Sequence, residues 1–282
     1  MKNTIIHKEW RLICGFFILV ALIAGCGSGD GLTAGVGTGG TGTLAYQVSG
    51  TVADGYLGKA TVFLDKNGNY QWDAGEPTAT TDANGAYTLK VDAADMGKYP
   101  IVALAIKGVT IDKDTNQAIA YSYLLSMPKD SVSGTASTNF INPLTSQVRE
   151  MMETGKYATL QQAKDALAAK MGLPAGTDVM ADYIAAGNTT MHAAAQNMAT
   201  LMGNQMDQIF GTGGSTVDVN RYRSMMGTIF SNMSSIMGAN AQNGMSSLNG
   251  TLTTTLSNMP AMGAGQPFQN MSAAFRGGMM GR

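Results

Sequence analysis

The sequence predicts an α+β fold in several domains: an antiparallel β-sandwich, then an α-helical domain with a disordered Met-rich tail. Three observations lead there. Between residues 44 and 130, apolar and polar side chains alternate in short runs separated by turn dipeptides, the signature of strands joined without intervening helices. After a Ser/Thr/Gly linker at residues 131–139 the apolar spacing lengthens to that of helices, which continues through residues 140–239. Residues 240–282 are dominated by Met, Gly, Ser, Thr and Asn, a composition too poor in core formers to predict more than weak order.

Taken in order, Tyr46, Val48 and Val52 alternate with Gln47, Ser49 and Thr51. Val62 with Leu64, and Tyr87 with Leu89 and Val91, repeat the period. Ile101 to Ile106 is a continuous apolar run, as a strand covered on both faces requires. Ile119, Tyr121, Tyr123 and Leu125 predict a final strand. Turns are marked by Asp54 with Gly55, Asn67 with Gly68, Asn84 with Gly85, and Asp112 to Asn116. Asn142 followed by Pro143 reads as an N-cap, opening a helix with Leu144, Val148, Met151 and Met152 on one face. Thr159 with Gln162 predicts a capping box for a helix over Leu160 to Met171, closed by Gly172 and Pro174. Two seams follow. Met191, Ala195, Met198, Met202 and Ile209 keep a 3.5-residue spacing interrupted at Gln205, beside Met206. Tyr222, Met226, Ile229, Met233 and Ile236 do the same, predicting an αα-hairpin.

The first 25 residues read as an export signal. Lys2, Lys8 and Arg11 outweigh Glu9, and the apolar run from Leu12 to Ala24 is short for a spanning helix. Ile23, Ala24, Gly25 and Cys26 resemble the lipobox of bacterial lipoproteins. That resemblance implies cleavage before Cys26 and acylation of its thiol and new amino group. Several acyl chains, at about 0.8 kcal/mol per buried CH₂, would hold the chain on a bilayer essentially permanently. The alternative is an uncleaved membrane helix. Gly27 after the Cys fits transfer to the outer membrane or cell surface under the enterobacterial sorting rule. Residues 26–43 are a Gly-rich tether, flexible enough to stand the folded part off the membrane. With Cys14 removed and Cys26 acylated, neither of the 2 cysteines is left for a disulfide.

The most informative stretch is the twelve-residue loop from Asp65 to Glu76. Oxygen-bearing side chains fall at positions 1, 3, 5, 9 and 12 as Asp65, Asn67, Asn69, Asp73 and Glu76, and Gln71 at position 7 offers its backbone carbonyl. That is the ligand spacing of an EF-hand-type calcium loop, in which hard oxygens surround the ion and the terminal Glu supplies two of them. His and Cys are absent from it, so zinc and copper fit poorly. Position 6, which ordinarily needs Gly, is Tyr70; the expected bend is shared by Gly68 and Asn69. Such a loop predicts weak binding, on the order of 10⁻⁴–10⁻³ M. The competing reading is a polar hairpin loop.

Thr80 to Leu89 spells a TTDxNGxYxL segment after the loop. With Val48 to Val52 it resembles the B-type repeats of Gram-positive serine-aspartate surface proteins and the related carboxypeptidase-regulatory-like modules. The resemblance, from Val48 to Val91, implies a prealbumin-like or immunoglobulin-like sandwich with a calcium loop, used as a stalk rather than a catalyst. Ile141 to Thr145, together with Met171 to Pro174, resembles the helical extensions that follow such modules in bacterial surface lipoproteins.

Composition removes other classes. The 18 Lys and Arg against 19 Asp and Glu leave a net charge of −1, so no basic field exists to hold nucleic acid. No triad order, phosphate loop or dinucleotide fingerprint is present, which argues against an enzyme. Asp112, Asp114 and Asn116 read as turn residues, and His192 as structural. The 21 methionines admit three readings: core packing, an adaptable surface for a protein partner or self-association, or a periplasmic Cu(I) site at Met198, Met202 and Met206 near His192. The sequence therefore predicts a non-enzymatic lipoprotein of the cell envelope, with a periplasmic carrier of Cu(I) or an apolar ligand as the alternative.

Overall fold

Two-residue periodicity does shape the first half of the chain. The computed structural model describes residues 45–134, 139–210, 216–237 and 241–260, all within one compact unit that begins at Gly42. The export signal, Cys26, the tether and the chain beyond Pro260 lie outside the described residues. The strands run β1 (Ala45–Val52), β2 (Leu57–Gly58), β3 (Thr61–Leu64), β4 (Thr78–Thr80), β5 (Ala86–Asp92), β6 (Ile101–Ala105), β7 (Ile111–Asp112), β8 (Gln117–Ala118), β9 (Tyr123–Met127) and β10 (Phe140–Ile141). They form three sheets, in the orders β10-β1-β5, β4-β3-β6-β9 and β2-β7-β8. Every pairing between strands is antiparallel except β1 with β10, which is parallel. With the helices, this is an α+β fold.

In β5, Tyr87, Leu89 and Val91 are buried while Thr88, Lys90 and Asp92 face solvent, the alternation of a sheet with one wet face. β9 is buried along its whole length and β6 nearly so, because the sheet carries packed layers on both faces. The strand expected to span Ile119 to Leu125 begins only at Tyr123. Ile119 instead closes a loop, its carbonyl accepting from the Gly108 N–H and its own N–H donating to the Thr110 carbonyl. At Gly50 a side chain is impossible: a Cβ would lie 2.0 Å from the Asn139 carbonyl oxygen, so β10 reaches β1 only because that position is Gly.

The helices are α1 (Pro143–Glu153), α2 (Leu160–Lys170), α3 (Thr189–Ile209), α4 (Val219–Ser231) and α5 (Ala241–Ser257). α1 starts where Asn142 and Pro143 predict. The Asn142 side chain accepts from the N–H groups of Leu144 and Thr145, and the Thr145 hydroxyl accepts in turn from the Asn142 N–H at 2.9 Å, a complete capping box. Capping by Thr159 is half of the expected box: its hydroxyl takes the Gln162 N–H, but the Gln162 side chain accepts from Ala158. Gly172, at φ 70, ends α2 with Leu173 N–H bonded to the Ala168 carbonyl and Gly172 N–H to that of Ala169, a Schellman motif.

The N-terminus of α1 docks on the outer strand β9. Ser126 N–H donates to the Ser146 hydroxyl at 2.8 Å, and the Thr145 hydroxyl donates to the Ser126 carbonyl at 2.8 Å, covering an edge that would otherwise be open. Tyr222 of α4 donates to the Leu124 carbonyl, and Tyr183 to the carbonyls of Ala53 and Asp54. Residues 45–130 and 140–237 thus share buried contacts over a wide front.

Both predicted seams are buried, from Met191 to Ile209 on α3 and from Tyr222 to Ile236 on α4 and the turn after it. One expectation is corrected. Residues 241–257, assigned to the weakly ordered tail, form α5, packed on α3 and α4. Leu248, Leu252 and Leu256 make a buried stripe at four-residue steps. The hydroxyls of Ser246, Thr251, Thr253, Thr254 and Ser257 each bond the carbonyl four residues back, so a Ser/Thr-rich segment satisfies itself as a helix. The polar residue that interrupts the α3 seam belongs to this contact. Gln205 is fully buried and donates to Asn249 at 2.8 Å and to Thr253 at 3.2 Å.

Candidate metal centre

β3 delivers Asp65 to the start of the twelve-residue loop and β4 receives the chain after Glu76. Leu64 N–H bonds the Pro77 carbonyl and Asp65 N–H that of Pro100, so both ends of the loop are fastened to the sheet. Inside it, Asp65 Oδ1 accepts from the N–H groups of Gly68 and Asn69 at 2.9 and 3.0 Å, and Oδ2 from Tyr70 at 3.3 Å. Asn67 Oδ1 accepts from Asn69 N–H and Asn69 Oδ1 from Gln71 N–H, two successive side-chain turns of the kind Asn favours. Glu76 spans the base, with Oε1 accepting from Lys66 N–H at 2.7 Å and Oε2 from Asp73 N–H at 3.0 Å.

The side chains at positions 3, 5 and 9 meet at one atom. Asn67 Nδ2 lies 2.7 Å and Asn69 Nδ2 2.8 Å from Asp73 Oδ2. Burial pushes the Glu76 carboxyl above its ordinary pKa, opposed by the two backbone donors and reinforced by repulsion from Asp65 and Asp73. The five side chains that the spacing singles out are therefore brought together. With the Asn67 and Asn69 amides turned so that Oδ1 rather than Nδ2 faces Asp73, the donor set would be entirely oxygen, which suits a hard cation such as Ca²⁺, and the crowded carboxylates would be relieved by one. Carboxylates alone do not complete a shell: among the described residues, no group of three or more His, Cys, Asp or Glu side chains is arranged to hold a metal. Asn amide and backbone oxygens would have to supply the remainder.

The bend falls at Gly68 (φ 75) and Tyr70 (φ 62), not at Asn69 as expected. Tyr70 occupies the left-handed conformation that Gly ordinarily supplies at position 6, and its ring is only 1 % exposed. Tyr70 packs against Tyr222 with ring centroids 4.8 Å apart and planes tilted by 46°, lies 3.9 Å below the Arg149 guanidinium, and donates its hydroxyl to Glu150. Arg149 in turn places Nη2 2.9 Å from Asp65 Oδ2 and Nε 2.8 Å from Glu153. Arg223 of α4 also pairs with Glu153. Burial, with the neighbouring Glu153 charge, pushes Glu150 up to about 7 against the pull of Arg149.

None of this second layer follows from loop spacing. The one signal was a Tyr where the loop template has Gly, together with Arg149 and Glu150 beside Val148 on a helix whose apolar face is otherwise narrow. Trp72 sits at the rim, 52 % exposed, with its indole N–H on the Glu76 carbonyl at 3.1 Å.

The remaining candidates are placed as follows. Asp112 and Asp114 lie in the β7–β8 hairpin, where Asp112 accepts from Asp114 N–H and the Thr115 hydroxyl, as turn residues do. His192 stacks on Tyr183, with Nε2 2.8 Å from Asp114 Oδ2 but out of hydrogen-bond alignment. Met198, Met202 and Met206 are buried within the helical core. Among the described residues no helix is long and apolar enough to cross a membrane. Comparison with family models, with curated proteins and with solved structures yields no match.

Proposed function

We propose that this chain is a non-enzymatic lipoprotein of the cell envelope, at the outer membrane or cell surface, anchored by acylated Cys26. Its β-part, read as an immunoglobulin-like or prealbumin-like sandwich, acts as a calcium-stabilised spacer, and its helical part serves protein interaction or self-association. What supports the calcium reading above the polar-hairpin alternative is the carboxylate arrangement: Asp65 and Glu76, at the two ends of the loop, are each oriented by backbone N–H groups of the loop, and both Asp65 and Asp73 repel Glu76, a repulsion that a cation would relieve. Asp65, Asn67, Asn69, Asp73 and Glu76 would hold the ion with their side chains and Gln71 with its carbonyl. The ion supplies charge neutralisation, not chemistry.

Trp72 provides the test. Tb³⁺, which shares the preference of Ca²⁺ for hard oxygens, should luminesce on excitation of Trp72, and Ca²⁺ should compete it away. Glu76→Gln should weaken both effects most, since it removes charge from the ligand expected to be bidentate. Absence of terbium luminescence and of any Ca²⁺-dependent thermal shift at about 10 mM, roughly ten times the weak end of extracellular sites, leaves only a polar hairpin. For the anchor, Cys26→Ser should release the protein from the membrane fraction or leave it unprocessed; normal processing and retention would refute acylation.

A further inference from the structure

The loop is built with parts of two helices. Arg149, from α1, is 1 % exposed and touches both the first ligand of the loop and the ring of its bend residue. Tyr70, the bend residue, reaches α1 through Glu150 and α4 through Tyr222. A tyrosine held at φ 62 carries strain that its own peptide does not relieve. It persists because the ring is buried among groups that exist only when α1 and α4 are docked. Asp65 is fully buried, so its charge likewise depends on Arg149 as well as on the loop's N–H groups.

Resting on the calcium reading above, we propose that Arg149 and Tyr70 are positioning residues of the loop, which make cation binding and the docking of α1 and α4 one cooperative equilibrium. The direction follows from linkage. An ion that binds only the bent loop favours the contacts that hold the bend, and the docked Tyr70 ring favours the ion by the same factor, whereas the Arg149 charge, 2.9 Å from Asp65 Oδ2, works against the ion and lowers its affinity. The guanidinium beside Asp65 also neutralises one of the three loop carboxylates, which keeps the site responsive in the concentration range of extracellular calcium rather than saturated below it. The helical surface is thereby made conditional on an ion bound some 80 residues earlier in the chain, as the separation of Tyr70 and Glu150 requires.

The full chain tests this by three measurements. Terbium luminescence reports loop occupancy. Thermal unfolding followed by helical circular dichroism reports docking, and should shift upward by about 3–6 °C at a Ca²⁺ concentration roughly ten times the dissociation constant. Hydrogen exchange should show protection rising along α1 together with the loop. Tyr70→Gly keeps a residue suited to φ 62 but removes the ring; terbium should bind several-fold more weakly, and the calcium-dependent helical shift, compared at equal loop occupancy, should fall by more than half. If that variant does not fold, exchange on the unsubstituted protein decides. Terbium binding with α1 protection and helical melting unchanged overturns the coupling alone. Absence of terbium binding in the unsubstituted protein overturns the calcium reading and this proposal with it.

Discussion

Asp54 shows how a single residue reads its surroundings. It sits just beyond β1, with its carboxyl buried and Oδ2 accepting from the Tyr123 hydroxyl at 2.8 Å. Burial is the largest influence on its carboxyl and pushes it from an ordinary 3.8 up to about 7; the Tyr123 bond pulls it down and Asp112 pushes it up. Between those two values the folded chain holds a proton that the unfolded chain releases. Stability from this group is therefore complete below about pH 4 and is lost as pH rises through 7. Asp54→Asn should flatten the fall in melting temperature between about pH 4 and pH 7, leaving the part due to Glu150, which is also raised to about 7. An unchanged slope would mean that Asp54 ionises freely in the fold. Asp65→Asn acts differently from Glu76→Gln. It leaves Arg149 with a weakened buried partner and should lower overall stability by a few kcal/mol, so Glu76 is the cleaner probe of ion binding.

At the scale of elements, the three C-terminal helices share one methionine- and leucine-rich seam. Met198 is fully buried on α3, so Met198→Asp places a carboxylate where it loses its hydration and gains no partner. A loss of more than about 3 kcal/mol is expected, read as a lowered helical melting transition. Leu252→Ala on α5 should cost about 2–5 kcal/mol by the cavity it leaves. Unchanged melting for both variants would instead make the seam an exposed binding face. The sequence pattern made α3 and α4 legible because their apolar spacing is strong. α5 is not legible in the pattern because its composition is that of a linker and its Leu stripe is narrow. What makes it a helix is partly non-local: Gln205 of α3 supplies the hydrogen bonds that Asn249 and Thr253 receive.

At the scale of the whole molecule, the β-rich and helical segments depend on each other. Residues 44–130 by themselves would lack β10, which pairs with β1, together with the α1 cover over β9 and the Arg149 and Tyr222 packing around Tyr70. Compared with the chain through residue 260, the isolated segment should unfold at a lower temperature and bind terbium more weakly. Equal melting and equal binding would make the segment self-sufficient.

Features set by near neighbours could be read directly from the residues. The alternation from Val48 to Val52 in β1 and along β5, the Asn142 N-cap and the Gly172 end of α2 depend on groups a few positions apart. Local stereochemistry and hydrogen bonding suffice for all of them. Tyr46, at the start of β1, departs from the alternation and is exposed. Tertiary structure alone decided the left-handed Tyr70, the Arg149–Asp65 pair across 84 residues, the raised carboxyls of Asp54 and Glu150, and the order of α5. Each of these is set by burial against a distant segment, and the free energy of burial depends on which faces meet rather than on which residues adjoin in the chain.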